Sequence, residues 1–114
     1  AALLLAQLEN LKTFINIKRR LAKKYKIFFK NSEFQFFNEP KFSRSNYWLN
    51  SIVLKNRKKR DEFLKITNSS KLMTRPIWIL MHKLKMFKKA EKFELKNSEW
   101  LEERVVNLPS SVNL

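Results

Sequence analysis

Arg75, Trp78 and His82 lie in the stretch TRPIWILMHKLKMF, Thr74 to Phe87, and are the side chains best suited to chemistry in this chain. A guanidinium is a planar fork that grips a phosphate or carboxylate through two parallel hydrogen bonds. An indole offers a flat face on which a base or sugar ring can rest. An imidazole changes charge near neutral pH and serves as a proton carrier, and His82 is the only histidine. Each also has a plainer reading, as surface charge, packing aromatic and satisfied surface or core histidine. Spacing alone leaves open whether the three converge, because a bend is expected between Arg75 and His82.

The absences exclude several chemistries. With no Cys there is no disulfide framework, thiolate zinc site or cysteine nucleophile. One His cannot supply a multi-histidine metal centre. The chain has no Gly, where its length would ordinarily bring about eight. Glycine-dependent phosphate loops, the dinucleotide fingerprint and the nucleophile elbow are thereby removed. Asp61 is the only Asp, so a Ser-His-Asp triad would have to unite it with His82, and nothing in the sequence does so.

The 114 residues make one ordinary domain, and 44% hydrophobic content can build its core. Net charge is +15, from 25 Lys and Arg against 10 Asp and Glu. Such an excess suits a polyanion partner, nucleic acid or anionic lipid. The cations are 18 Lys and only 7 Arg, however, and Arg is the better fork for phosphate. A solvated lysine-rich surface therefore accounts for the charge more simply. No apolar run approaches the ~20 residues that span a bilayer.

Hydrophobic spacing places the elements. Leu4, Leu8, Leu11, Ile15, Leu21, Tyr25 and Phe28 recur at helical steps and predict an amphipathic helix from Ala2 to about Asn31. Lys12, Arg19, Lys23, Lys26 and Lys30 make the opposite, basic stripe. Glu33–Asn38 and Ser45–Leu54 read as strands, with Phe34, Phe36, Tyr47 and Trp48 expected in the core against the long helix. A second helix is expected over Lys58–Asn68. A strand over Lys71–Trp78 belongs at a sheet edge, because Pro76 cannot donate to a ladder. Lys83–Lys96 reads as a loop or broken helix. A short helix starts near Asn97, with Ser98 as candidate N-cap, and Val105–Leu108 closes as a strand before Pro109. Together these predict an α+β fold, with a small, mostly antiparallel sheet of three to four strands against one long and two shorter helices.

The motifs resemble the DegT/StrS family of sugar aminotransferases. Ala6-Gln7-Leu8-Glu9, Lys18-Arg19-Arg20 and Tyr25 match the helix opening that family's small C-terminal domain. SNYWLNSIVL is similar to its following strand. MTRPIWILMHKLKMF resembles its Arg-Pro-x-Trp and Leu-Met-His segment, in the version found in the branch acting on UDP-linked 4-keto-6-deoxy amino sugars. NSEWLEERVVNLPSSV resembles its closing signature.

The resemblance implies the small domain of a fold-type I pyridoxal-phosphate transferase, 1–114, cut from a longer chain at both ends. It implies an amino group passing from glutamate to a 4-keto nucleotide-sugar, in surface polysaccharide or glycan biosynthesis. It also implies a cytoplasmic setting, a homodimer in the complete enzyme, and no specific nucleic-acid or membrane partner. The family's Schiff-base Lys and most cofactor contacts belong to a large domain, so no catalytic or cofactor-binding residue is expected here and the chain alone should be inactive. Arg75, Trp78 and His82 would touch substrate or shape the cleft rather than transfer protons. Two positions depart from the family pattern, Lys85 in place of Pro and Leu3-Leu4-Leu5 in place of a Gly. The alternatives are a basic non-enzymatic module binding nucleic acid or anionic membrane, and a gene remnant whose exposed apolar surface would favour aggregation.

Overall fold

The computed structural model describes residues 1–112. Leu114, on which the expected cut at the C-terminal end partly rests, lies outside them. The apolar recurrence at the start of the chain forms helix α1, Ala2–Phe28. Only its second half is packed, however. Ala22 is buried and Tyr25 packs on the core, whereas Leu3, Leu4, Leu5, Leu8 and Leu11 are exposed. Phe28 also points outward and Phe29, just past the helix, takes the buried place instead.

Strand β1 is Gln35–Phe36, β2 is Asn50–Val53, β3 is Arg75–Pro76 and β4 is Val105–Leu108. Helix α2 spans Arg57–Ser69 and α3 spans Lys96–Glu102. The element order and the α+β class are as the sequence predicts. The sheet has four strands in the order β1-β2-β4-β3, and every pairing is antiparallel. Pro76 does lie on an edge strand.

Side chains alternate across a strand, and the two faces of this sheet differ in character. Ile52, Leu54, Val106 and Leu108 join Ala22, Phe29 and Phe36 in the core on the face of α1 and α2. Ile52 and Val106 are fully buried, each worth about 1.5–3 kcal/mol of stabilisation against exposure. An edge-to-face series, Phe29 to Phe34 at 6.0 Å and Phe34 to Phe63 at 5.5 Å, ties the end of α1 to α2. Asn107 and its direct cross-strand partner Arg75 fall on the alternate register positions, away from that core.

Three expected strands are shorter than their sequence patterns. Ser45–Leu49 does not extend β2, because local side chains capture its backbone. Ser45 Oγ accepts the Tyr47 N–H at 3.0 Å and Asn46 Oδ1 accepts the Trp48 N–H at 3.0 Å, which are turn contacts that compete with a ladder. Tyr47 takes φ 47°. The approach to β3 is consumed by the end of α2: Thr74 Oγ1 bonds Thr67 Oγ1 at 2.6 Å and Asn68 Nδ2 donates to the Thr74 carbonyl at 3.1 Å. Ahead of β1, Ser32 Oγ accepts the Phe34 N–H at 3.2 Å and delays pairing.

Two further expectations are corrected. Ser98 does not cap α3, which starts after Leu95 without a side-chain cap. Arg19 leaves the solvated basic stripe: Nη1 and Nη2 clasp both oxygens of Glu39 at 2.9 and 2.8 Å, and its guanidinium lies 5.7 Å from the Tyr47 ring centroid.

Candidate functional site

The segment that follows β4 is held from α1. Lys18 Nζ donates to the Ser110 carbonyl at 2.6 Å and to the Trp48 carbonyl at 3.2 Å. Tyr25 Oη donates to the Pro109 carbonyl at 2.9 Å. Burial disfavours the Tyr25 phenolate and raises its pKa, so the hydroxyl keeps the proton it donates. Ser110 Oγ accepts the Asn50 N–H at 2.9 Å and Asn50 Nδ2 at 3.1 Å, and donates to the Leu108 carbonyl at 2.8 Å. Pro109 and Ser110 are thus held between α1 and the start of β2.

Those residues form part of a cleft of about 940 Å³, within the upper range of small-molecule sites. Its other walls include Met73, Arg75, Trp78 and Leu84. The lining is mostly apolar, with Arg75 its single charged member. Among the described residues Arg75 forms no ion pair, which leaves its fork available to an anion.

The structure brings Arg75 and Trp78 into this cleft but places His82 beside it. His82 Nε2 sits 3.1 Å from Glu99 Oε1 on α3, with a side chain only 11% exposed. Two neighbours repeat that attachment: Lys83 pairs with Glu102, and the Leu80 N–H donates to Glu102 Oε1 at 3.3 Å. Burial works to raise the Glu102 pKa, but hydrogen bonds from Lys83 and Leu80 and the Lys83 charge outweigh it and hold the carboxylate low. The turn carrying Met81 and Leu84 is therefore stapled to α3 by three polar contacts.

Lys85 opens a second 3-10 turn, Lys85–Phe87, directly after the first, Met81–Lys83.

Sequence reasoning missed Trp48. Expected in the core, it is 65% exposed and stacks on Trp78 at 6.1 Å between centroids and 22° between planes. Its neighbours, alternating Tyr47 and Leu49 about an apolar strand pattern, gave no signal of this. Only the pairing of β2 and β3 with opposite sides of β4 brings the indoles within reach.

The edge strand and the turn after it thus wall a mostly apolar cleft that holds one arginine and is large enough for a small molecule. The chain belongs to the DegT/DnrJ/EryC1/StrS aminotransferase family, whose model matches residues 1–114. It is 35% identical over 115 residues to the GDP-perosamine synthase of Escherichia coli O157:H7, an alignment covering 100% of this chain and 31% of that protein. The chain thus spans about a third of its curated relative. Among solved structures it resembles the aminotransferase TlmJ from Streptoalloteichus hindustanus, with a TM-score of 0.82 and 18% identity over 92% of this chain and 28% of that one. It also resembles E. coli GDP-4-keto-6-deoxy-D-mannose-3-dehydratase with bound hydrated PLP, with a TM-score of 0.67 and 19% identity over 93% of this chain and 29% of that one. At these identities the structural likenesses define the fold alone.

Proposed function

We propose that this chain is the small domain of a pyridoxal-phosphate aminotransferase that moves an amino group from glutamate to a nucleoside-diphosphate-linked 4-keto sugar. The observation that carries the reading is the family match over the whole chain together with 35% identity to a GDP-sugar enzyme. That relative favours a GDP-linked substrate over the UDP-linked one suggested by the TRPIWILMH segment. A cytoplasmic enzyme working as a homodimer on surface-polysaccharide sugars is the setting that fits this chemistry.

Pyridoxal phosphate supplies, when bound, an electron sink for moving the amino group. The lysines of this chain do not fit its covalent anchor. None lines the cleft, and all but Lys18 are exposed, whereas a Schiff-base lysine is activated by desolvation. Lys18 itself is committed to two carbonyls. The anchor belongs to the portion of the relatives that this chain does not span. Leu3, Leu4, Leu5, Leu8 and Leu11, exposed along α1, are the apolar surface expected of a domain made to pack on another.

In this reading Arg75 holds an anionic group of the substrate, a phosphate or carboxylate, by a charge-assisted fork. Trp78 gives the cleft a flat apolar wall. His82 shapes the cleft by fastening its turn to Glu99 rather than by moving a proton. The test is a chimera in which these residues replace the equivalent third of the GDP-perosamine synthase. Formation of amino sugar from glutamate and a GDP-linked 4-keto sugar, followed by mass spectrometry, supports the reading. A chimera that folds and retains cofactor yet forms no amino sugar opposes it.

A further inference from the structure

We infer that Trp78, in the cleft, and Trp48, stacked beside it outside the cleft lining, form a stacking platform for the base of a nucleoside diphosphate, and that Trp48 is a specificity-determining residue at the cleft's rim. The inference rests on the proposed nucleotide-sugar reading and assigns the part of the substrate that meets these rings.

The two indoles come from distant points in the chain. Trp48 precedes β2 and Trp78 follows β3, and β4 lies between those strands in the sheet. Offset stacking at 6.1 Å between centroids covers only part of one face of each ring. Trp48 remains 65% and Trp78 68% exposed, so large aromatic surfaces stay open. The Trp48 backbone is nevertheless held in place before any ligand arrives, and its indole leans on Trp78. Its N–H bonds Asn46 Oδ1 at 3.0 Å and its carbonyl accepts Lys18 Nζ at 3.2 Å. A rigid aromatic surface loses little freedom on binding.

The ligand chemistry follows from what shares the cleft. Trp78 and Arg75 both line it, which sets a flat apolar face beside a guanidinium that forms no ion pair among the described residues. A nucleoside diphosphate presents the complement, a π-faced base joined to an anion. A sugar alone lacks both groups, and an inorganic anion would use only Arg75. Every base has a π-face, and the larger purine ring covers more of an indole pair than a pyrimidine does.

The chain's three tryptophans allow a direct test, because each contributes one indole Nε1–H resonance to a nitrogen–proton NMR spectrum. Trp100 is the internal control, since it lies on α3 under the Arg104 guanidinium at 4.6 Å. GDP, UDP and pyrophosphate are titrated in turn into the 114-residue chain. The expected result is that GDP shifts the Trp48 and Trp78 signals and leaves Trp100 in place, with UDP weaker and pyrophosphate weaker still. W48L should weaken GDP about tenfold, the loss of one base–aromatic stack, and leave pyrophosphate binding unchanged. W48F should recover part of the loss. Equal GDP affinity in wild type and W48L overturns the platform, as does a Trp100 shift as large as the other two or no GDP shift at all. These outcomes are separate from the chimera's turnover, whose failure would overturn the enzyme reading while leaving a base-dependent shift of Trp48 and Trp78 standing.

Discussion

Lys18 donates to the carbonyl of Ser110, 92 residues along the chain, at 2.6 Å. Through that bond the long first helix fixes the segment that closes the cleft. Ser110 in turn is the shared partner of Asn50, accepting from both its backbone N–H and its side-chain amide. Asn50 is 1% exposed, and its Oδ1 has no partner among the described residues. Ser110→Ala strands two buried donors and should destabilise the domain by about 1–3 kcal/mol. Urea unfolding checks this, and an unchanged midpoint would mean that water reaches Asn50.

Helix α2 ends in a Schellman arrangement built without glycine. The Leu72 N–H bonds the Thr67 carbonyl at 2.8 Å and the Lys71 N–H bonds the Asn68 carbonyl at 3.0 Å. Lys71 sits at φ 60°, the left-handed position that glycine usually fills. A side chain with a Cβ pays roughly 1–2 kcal/mol there. Lys71→Gly should therefore raise the melting temperature, less the greater freedom glycine gains when unfolded. A drop on thermal denaturation would show that the lysine stem contributes packing that outweighs the strain.

Glu39 links pH to stability. Hydrogen bonds from Arg19 and from the Ser45 N–H hold its carboxyl at about 2, against an ordinary 4.5. A folded value below the unfolded one means that the stabilisation is complete above the unfolded value and is lost as pH falls through the folded one. Between pH 5 and pH 2 the wild type should lose melting temperature that Glu39→Gln has already lost at pH 6. The two thermal profiles should converge toward pH 2, and parallel profiles would remove Glu39 from the acid response.

The class, the element order and the family were legible because they rest on local signals. Helical recurrence marks α1, the β-branched run marks β2, and Pro76 marks an edge strand. The Arg-Pro-x-Trp and closing Pro-Ser-Ser motifs carry the family. What stayed hidden depends on contacts distant in sequence. Nothing near Trp48 says that it meets Trp78, and nothing near Arg19 says that Glu39 will take it out of a basic stripe. His82 looked equivalent to Arg75 and Trp78 by proximity, yet Glu99 draws it to α3. The leucines of the first half of α1 carry a correct helical pattern yet stay exposed among the described residues, so periodicity gave the helix but not the burial.

The substrate role of Arg75 is the central claim, and steady-state kinetics of the chimeric aminotransferase test it most directly. Arg75→Ala should raise KM for the nucleotide-sugar about tenfold or more, the loss of a charge-assisted hydrogen bond of about 1.5–3 kcal/mol, with little change in KM for glutamate. Arg75→Lys should restore only part of the affinity, because a lysine cannot form the two-pronged contact. An unchanged KM for the nucleotide-sugar in Arg75→Ala would contradict the account.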